Sequence, residues 1–488
     1  MEYSSIVDSL LQLPKFTTKN SFADTKYFME RLGNPQNSFP VVHVAGSNGK
    51  GSVCAFLAAS LKASGIFGGL FTSPHLTDIR ERIQLDLEWI GKEAFSLAYE
   101  KVATCISDLC KEGYPHPTFF EYMFAMAMVS FREAGISCAI VETGLGGRLD
   151  ATNTIERPLL TVITSISLEH TQYLGESIAE IAWEKAGIIK PHVPVVYVGD
   201  NRQAAEVIHA VAQEKMAKEW VLWSADSLEI VETETKLRET IETIEAPNPA
   251  NKRVETIKIL LNTGKSIDFF LQCDYDIRCG MHTNRIEHTD EDSFAIADTG
   301  YGLQKNSGLQ AIEIPFSAPY QAQNAALAYA ALLCVQEKLG IPNRAIKQGF
   351  VHTKWAGRME EVLPKVYLDG AHNPGGIAAF LEGVGEIISK PAILVFSMLK
   401  EKNVEESVRL ICDSGLFRMV IATSLPGQPR ALSAEEAADY FRKYKVELLV
   451  IDTPKEAFRH ALAYQAKEEH IFIVGSLYLV GKISEGSF

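Results

Sequence analysis

Residues 40–57 read Pro-Val-Val-His-Val-Ala-Gly-Ser-Asn-Gly-Lys-Gly-Ser-Val-Cys-Ala-Phe-Leu, and this stretch indicates the fold of the chain. A short β-branched run ends in a glycine-rich loop that opens a helix, where backbone N–H groups and the helix N-terminus can cradle phosphates. Lys50 can reach the terminal phosphates, and the Ser52 hydroxyl can ligate Mg²⁺. The stretch therefore predicts a strand, a loop and a helix that bind the triphosphate of ATP.

The spacing of this loop differs from that of the standard P-loop. Gly46-x-x-Gly49-Lys50 is two residues shorter than the usual glycine–lysine pattern, and Gly51 separates Lys50 from Ser52. A tight turn between a strand and a helix would also use glycine and asparagine, so the local pattern leaves that alternative open.

Length and composition limit the kind of protein. With 488 residues, of which 47% are apolar, the chain exceeds the size of a single core of about 250–300 residues, so two or three domains are expected. A formal charge of −14 argues against a nucleic-acid-binding surface. No apolar run approaches the ~18 residues of a membrane span, and the first residues lack the pattern of a signal peptide, so we expect a cytoplasmic protein without membrane contact.

Eight cysteines are scattered along the chain without C-x-x-C spacing. This pattern predicts neither a zinc site nor a disulfide framework, and mostly apolar surroundings favour buried thiols. The cysteines are Cys54, Cys105, Cys110, Cys138, Cys273, Cys279, Cys334 and Cys412.

Apolar runs alternate with helical patterns in two parts of the chain, which predicts an α/β fold. Residues 1–315 are expected to form an ATP-binding domain with a P-loop and a mostly parallel sheet. Within it, the segment from about 200 to 315 is charged and carries no recognisable chemistry, although short strands at 256–261 and 266–272 are plausible. Residues 316–488 are expected to form a second, smaller, Rossmann-like α/β domain.

Polar side chains follow several predicted strands of the first domain. Glu142 ends an apolar strand, as an acid that holds Mg²⁺ does, although a glutamate can also simply cap a strand. His170 follows another strand, although a lone histidine is more often a hydrogen-bonded structural residue than a metal ligand. Ser73 lies in a proline turn. Because functional residues gather at the carboxyl ends of parallel strands, these side chains are expected near the phosphate loop.

Nine motifs occur in the order typical of folylpolyglutamate synthases and dihydrofolate synthases, which belong to the Mur ligase superfamily. The resemblance covers about residues 20–200 and 316–480, and the middle segment carries none of it. The motifs are Gly46–Ser52, Thr72–Leu76 with Glu81–Ile83, Glu142–Asn153, His170–Gly175, Glu184–Lys190, Asn324–Ala326, Trp355–Glu360, Asp369–Pro374 and Gly475–Tyr478.

The resemblance implies ATP-dependent amide ligation, in which the carboxylate of a folate or of dihydropteroate becomes an acyl phosphate and L-glutamate attacks it. It implies that Asn48, Gly49, Lys50, Gly51, Ser52, Asn324, Arg358 and Asp369 bind ATP, with Arg358 beside the γ-phosphate. It further implies that Ser52, Ser73 and Glu142 hold one Mg²⁺, that His170 and Lys185 hold a second, and that Ser73, Arg82, His372 and Ser476 bind substrates. Lys50, His170, Lys185, Arg358 and His372 would be the catalytic residues.

Lys185 is carbamylated in the resembling family, which would convert a cation into an oxygen ligand for the second Mg²⁺. That modification needs a neutral amine and hence a lowered pKa. From local sequence alone, Lys185 is an ordinary lysine in the final turn of a helix that Gly187 ends, where it would complement the helix C-terminus.

The chain departs from the family pattern at two positions. Glu169 stands where relatives usually carry aspartate, and Tyr320 stands where many carry histidine. Two other functions stay open: a superfamily ligase that acts on a cell-wall precursor, and a nucleotide-binding regulatory protein without ligase activity. Whichever holds, we expect a monomer with small-molecule substrates.

Overall fold

The computed structural model describes residues 2–14, 21–224, 252–274 and 311–485. These residues form two sheets, each with helices packed on it, as the alternating pattern predicted. The parts of the motif-poor segment at 225–251 and 275–310 lie outside the described residues, as does Cys279.

The first sheet has eleven described strands in the order β11-β9-β10-β8-β7-β6-β1-β5-β2-β3-β4. They are β1 (Val41–Ala45), β2 (Gly68–Phe71), β3 (Ile83–Leu85), β4 (Glu88–Trp89), β5 (Cys138–Glu142), β6 (Leu160–Ile163), β7 (Val195–Val198), β8 (Glu219–Ser224), β9 (Lys252–Leu260), β10 (Ser266–Asp274) and β11 (Ile312–Glu313). The central strands are parallel, and antiparallel pairs occur at β2–β3–β4 and β8–β10–β9. Strands of the motif-poor segment therefore extend the first sheet.

Ten helices accompany the first sheet in the described part of the chain. They are α1 (Tyr3–Leu11), α2 (Phe22–Arg31), α3 (Lys50–Ala63), α4 (Lys92–Lys111), α5 (Phe119–Ala134), α6 (Thr171–Leu174), α7 (Ile178–Ala186), α8 (Arg202–Glu214), α9 (Pro319–Leu339) and α10 (Asn343–Val351). Short 3₁₀ turns lie at Pro35–Asn37, Ile79–Arg82 and Ala151–Thr154.

Local signals explain where these elements begin and end. All five residues of β1 are buried, because helices cover both faces of a central parallel strand. Helix α5 begins with a capping box between Thr118 and Glu121 and ends at Gly135, whose φ of 66° lies in the left-handed region. Both helix-end signals are visible in the sequence, as Thr118 with Glu121 three residues later and as the glycine at position 135.

The second sheet has six described strands in the order β12-β13-β17-β14-β15-β16. They are β12 (Glu360–Leu363), β13 (Val366–Leu368), β14 (Ala392–Phe396), β15 (Phe417–Thr423), β16 (Glu447–Ile451) and β17 (Ile471–Val474). All pairs are parallel except β12–β13. The helices are α11 (Pro374–Ile387), α12 (Val404–Asp413), α13 (Ala434–Phe441), α14 (Pro454–Tyr464) and α15 (Leu477–Ser484).

Helices α9 and α10 pack on the first sheet, although the sequence analysis began the second domain at residue 316. Residues of α9 from Ala322 to Val335 share a core with Val42 and Phe56, and α10 packs on α3. Alanines along α9 let its backbone approach the sheet closely, and their spacing alone does not say which sheet is covered. We therefore propose a boundary between the domains near residue 352.

The cysteines are only partly as predicted. Cys54 and Cys138 are buried thiols, whereas Cys105, Cys334 and Cys412 are half-buried and Cys110 is exposed on α4. All six are free. The prediction of buried thiols is wrong for Cys110, because the polar face of an amphipathic helix can carry a cysteine.

Candidate active site

The glycine-rich loop joins the carboxyl end of β1 to the first turn of α3. Lys50 lies over this loop, and its Nζ donates to the carbonyl oxygens of Gly46 at 2.9 Å and of Ser47 at 3.3 Å. The Ser52 hydroxyl is buried without a hydrogen-bond partner among the described residues. A buried hydroxyl of this kind is costly unless a ligand completes its coordination.

Gly49 is required by the shape of the loop. Its φ of +86° lies in the left-handed region, and a Cβ at this position would lie 2.1 Å from Oδ1 of Asn324. Asn324 projects from α9, and its Nδ2 donates to Oε1 of Gln321 at 3.0 Å. The loop and α9 therefore touch closely enough to exclude any larger residue at 49.

Glu142 ends β5, the strand next to β1, and is 3% exposed. Its Oε2 accepts from the backbone N–H of Ser73 at 3.0 Å. Burial raises the pKa of this carboxyl, while the charge of Lys50 acts in the opposite direction. Among the described residues Glu142 has no ion-pair partner within 4.0 Å, so its charge is available to a bound cation.

Lys185 is 1% exposed in the last turn of α7. Its Nζ lies 2.7 Å from Oε1 of Glu169 and donates to the carbonyl oxygen of Gly46, also at 2.7 Å. Burial lowers the pKa of Lys185 below its ordinary value despite the nearby carboxylate. The alternative, a lysine that only complements the helix C-terminus, does not fit, because the side chain turns inward to Glu169 and the phosphate loop.

His170 precedes α6 with a φ of 47°, a left-handed conformation that is uncommon outside glycine. Its Nε2 lies 3.0 Å from Nζ of Lys402, a residue of the second domain. Burial and the cation of Lys402 lower the pKa of His170 to about 4. The imidazole is therefore neutral near pH 7 and accepts a hydrogen bond from across the cleft.

The second domain contributes Asp369 and Arg358. Asp369 is buried, and its carboxylate accepts from the Tyr320 hydroxyl at 2.5 Å and from the N–H groups of Met359 and Ala371 at 2.9 and 2.8 Å. These donors hold the loop that follows β13. Arg358 forms no ion pair with a described residue, so its charge is directed into the cleft.

His372 and Ser476 lie on two adjacent loops of the second sheet. Nδ1 of His372 lies 2.8 Å from the carbonyl oxygen of Gly370, so Nδ1 carries the proton and Nε2 is an acceptor. Burial and the charge of Lys402 lower the pKa of His372 to about 3. Ser476 caps α15, and its Oγ accepts from the N–H of Tyr478 at 3.2 Å.

These residues line one cavity of about 340 Å³ between the two domains. The predicted site residues in its lining are Asn48, Gly49, Lys50, Gly51, Ser52, Ser73, Glu142, His170, Lys185, Asn324, Arg358, Asp369, His372 and Ser476. The structure thus brings together groups from the carboxyl ends of both sheets.

Arg82 is the predicted substrate-binding residue that does not line the cavity. It is 6% exposed, its Nε donates to Nδ1 of His75 at 2.8 Å, and its guanidinium lies 5.1 Å from the ring centroid of Phe119. Burial lowers its pKa to about 10. These contacts hold Arg82 beside the turn around Ser73, and its role in substrate binding stays a prediction.

Three charged residues of the lining were missed by sequence reasoning: Glu401, Lys402 and Arg430. Arg430 pairs with Glu401 at 2.6 Å, and Lys402 contacts His170. They follow β14 and β15, where parallel strands carry functional residues. Position at a strand end was the signal that could have identified them.

Two features are absent from the part of the chain that the structure describes. No group of three or more His, Cys, Asp and Glu side chains is arranged to hold a metal ion. Within the same residues, every helix is too short or too polar to cross a membrane.

The fold and the cavity define a two-domain ligase of the Mur type. Residues 357–477 match the family model described as "Mur ligase, glutamate ligase domain". Over 481 residues the chain is 30% identical to the dihydrofolate synthase/folylpolyglutamate synthase of Bacillus subtilis. The alignment covers 96% of this chain and 95% of the Bacillus protein. The chain therefore belongs to the folylpolyglutamate synthase/dihydrofolate synthase family.

Two further proteins are similar along nearly the whole chain. The Mycobacterium tuberculosis folylpolyglutamate synthase complexed with ADP superposes with a TM-score of 0.77 at 25% identity, covering 99% of this chain and 98% of that one. A probable bifunctional folylpolyglutamate synthase/dihydropteroate synthase of Haloferax volcanii is 28% identical over 485 residues. That match covers 99% of this chain and only 50% of the Haloferax protein.

Proposed function

We propose that this protein is an ATP-dependent ligase that joins L-glutamate to a folate, to dihydropteroate, or to both. The observation that carries the proposal is the shared cavity, in which the phosphate loop of one domain faces Arg358 and His372 of the other. Membership of the folylpolyglutamate synthase/dihydrofolate synthase family supports the substrates.

The chemistry follows from the low reactivity of a carboxylate. The γ-phosphoryl group of ATP moves to the substrate carboxylate and ADP leaves, which gives an acyl phosphate with a good leaving group. The amino group of L-glutamate then attacks the acyl carbon, and inorganic phosphate leaves. Lys50 and Arg358, which both line the cavity, would offset the negative charge of the transferring group, and closure of the cleft around the substrates would exclude water from the acyl phosphate.

Ser52, Ser73 and Glu142 suit one Mg²⁺. The unpartnered buried hydroxyl of Ser52 and the buried, unpaired carboxylate of Glu142 are oxygen ligands of the kind that Mg²⁺ prefers. When bound, the ion would neutralise charge on the phosphates. Glu142 also accepts from the backbone of Ser73, so the protein holds this carboxylate in place before any ligand binds.

His170 and Lys185 suit a second Mg²⁺ only if Lys185 is modified and the amino group of Lys402 gives up its contact with Nε2 of His170. An ammonium group repels a cation, whereas a carbamate on Nζ would offer two oxygens beside neutral His170. We propose this carbamylation because burial lowers the pKa of Lys185 and so increases the fraction of neutral amine that CO₂ can attack.

The second-domain side of the cavity suits L-glutamate. Lys402 offers a cation for a carboxylate, and neutral His372 offers Nε2 as an acceptor for the amino group. Because a single chain supplies both sides of the cavity, we propose that the protein works as a monomer.

The test is an assay of ADP formation with dihydropteroate, tetrahydrofolate or a muramyl cell-wall precursor as acceptor, each with and without L-glutamate. We expect turnover that needs both glutamate and one of the pterin acceptors. Turnover with the muramyl acceptor alone would assign the protein to cell-wall synthesis. ADP formation independent of every acceptor would favour a regulatory nucleotide-binding protein.

Lys50→Ala tests the role of the phosphate loop in the same assay. We expect a loss of about 10²–10³-fold in kcat, since a preorganised charge at the transferring phosphoryl group is removed. Lys62→Ala is a matched control, because Lys62 lies on the same helix but contacts Asp86 on the surface. A folded Lys50→Ala enzyme with normal turnover would refute the proposed role of the loop.

A further inference from the structure

A hydrogen bond between two asparagines joins the phosphate loop to the second domain. Nδ2 of Asn373 donates to Oδ1 of Asn48 at 3.0 Å, and Nδ2 of Asn48 donates to Oγ of Ser167 at 3.0 Å. Asn373 is also the N-cap of α11, where its Oδ1 accepts from the N–H of Gly376 at 2.7 Å. Because the cap uses Oδ1, the amide of Asn373 must present Nδ2 to Asn48.

The backbones around this bond lie in close contact. A Cβ on Gly375 would lie 2.9 Å from Cβ of Ser167 and 3.4 Å from Nδ2 of Asn48. A Cβ on Gly376 would lie 3.4 Å from Oδ1 of Asn48. The start of α11 therefore rests directly on the loops that follow β1 and β6, and the Asn48–Asn373 bond lies within this contact.

The bond connects two parts of the site that must be aligned. Asn48 precedes Lys50 by two residues, and Asn373 directly follows His372. An acyl phosphate formed above the phosphate loop must meet an amine held near His372, and misplacement by about 1 Å costs about 10²-fold in rate. The bond spans the gap between these two loops at 3.0 Å.

We propose that Asn373 is a positioning residue, which sets the His372 loop against the phosphate loop through its hydrogen bond to Asn48. The side chain of Asn48 accordingly serves domain docking, since both ends of its amide are occupied by protein groups. This inference rests on the proposed function for its link to turnover, and on the structure alone for its effect on domain closure.

Asn373→Ser separates the positioning role from helix capping. Serine caps helices about as well as asparagine, but its hydroxyl is too short to reach Asn48 while it caps Gly376. The matched control is Asn403→Ser, because Asn403 caps α12 in the same domain by accepting from Glu406. We expect both variants to have similar stability in urea, and only Asn373→Ser to lose about ten-fold in kcat.

A double-mutant cycle tests whether Asn373 acts through Asn48. If it does, the double variant that combines Asn48→Ala with Asn373→Ser should be no less active than whichever single variant has the lower activity. KM for ATP should differ little between Asn373→Ser and wild type, since the phosphate loop itself is unchanged. Losses that multiply in the double variant, or an Asn403→Ser variant impaired as strongly as Asn373→Ser, would overturn the proposal.

X-ray scattering distinguishes failure of this inference from failure of the proposed function. With Mg²⁺ and a non-hydrolysable ATP analogue, and without any acceptor, wild type should be more compact than Asn373→Ser, while Asn403→Ser matches wild type. Equal radii of gyration for all three proteins would overturn the positioning role, whatever the substrates. Absence of glutamate-dependent turnover in wild type would refute the proposed function only.

Discussion

Lys185 carries a buried amino group whose partners are one carboxylate, Glu169, and one carbonyl, that of Gly46. A buried ion pair adds little net stability but is costly to break, because removal of one partner leaves the other charge unpaired. Lys185 therefore affects both folding and chemistry, and its tests must separate the two effects.

Lys185→Ala should lose nearly all turnover if the lysine is carbamylated, and acetate should restore part of the rate by supplying carboxylate oxygens. Lys185→Arg should stay inactive although it keeps a cation beside Glu169. The control Lys190→Ala removes a half-buried lysine that donates to the carbonyl of Asn153 and should remain active. A ¹³CO₂ NMR spectrum of the active wild type without a carbamate signal would refute the modification.

The buried residue His43, in β1 of the first sheet, should make the stability of the protein depend on pH. Its Nε2 lies 2.8 Å from Oγ1 of Thr152, while burial, with a smaller effect of Lys190, lowers its pKa to about 3. In the unfolded chain His43 binds a proton below about pH 6.5, whereas in the folded chain it stays neutral until the pH approaches 3. The free energy of unfolding is therefore unaffected by His43 above pH 6.5. Between pH 6.5 and pH 3 it decreases by up to about 1.4 kcal/mol for each unit by which the pH falls.

The free energy of unfolding in urea, measured from pH 7.5 to 5, should therefore decrease with falling pH. The decrease should be smaller in His43→Asn, which removes the titrating ring. An identical slope in both proteins would show that His43 does not titrate between the folded and unfolded states.

Helix α7 is the element that carries Lys185 to the phosphate loop. Ser177 and Glu180 form a capping box at its start, with Oγ of Ser177 accepting from the N–H of Glu180 at 3.2 Å. At the other end, the carbonyl of Glu184 accepts from the N–H of Arg148 at 2.7 Å. The helix is thus fixed at both ends, so a weakened cap need not move Lys185.

Ser177→Ala should lower the free energy of unfolding by about 1 kcal/mol and leave kcat nearly unchanged. Ser433→Ala, which removes the corresponding cap from α13 in the second domain, is the matched control for stability. Urea unfolding and the ligase assay measure the two effects. A large loss of kcat in Ser177→Ala alone would show that the cap controls the position of Lys185.

At the scale of the whole molecule, the cavity depends on two domains that meet with their carboxyl strand ends facing. Described contacts across the cleft include Lys402 with His170, Asn373 with Asn48, and Tyr320 with Asp369. Side chains that bridge this space only when ligands bind should matter for rate more than for folding.

Arg358→Ala tests whether a side chain that faces the cleft matters for rate more than for folding. It should lower kcat by about 10²-fold or more and change stability little, since the guanidinium faces the cleft without an ion-pair partner among the described residues. Arg358→Lys should recover little activity, because a lysine lacks the planar fork that matches phosphate oxygens. Full kcat combined with early thermal unfolding would identify Arg358 as a structural residue.

The sequence predicted both sheets and most of their elements, because alternating apolar runs and helix-end signals act locally. The capping box at Thr118 and the fully buried strand β1 are examples. Elements that were not predicted include the short β3 and β4, the helix α10, and α8 and β8 of the motif-poor segment. Short elements give little periodicity, and charged residues interrupt the apolar pattern from about residue 200. The assignment of α9 to the second domain failed because an alanine-rich helix packs equally well on either sheet.

The sequence by itself determined which chemical groups stand at the ends of the strands, because a parallel sheet brings those ends to one edge. Tertiary structure decided which of these groups meet: Lys185 with Glu169, Lys402 with His170, and Asn373 with Asn48, pairs separated by 16, 232 and 325 residues. It also buried Arg82 against His75 and Phe119, outside the lining of the cavity. Local propensity carries no information on such pairs, since Lys185 meets Glu169 only when the first domain folds, and the other two pairs form only when the two domains meet.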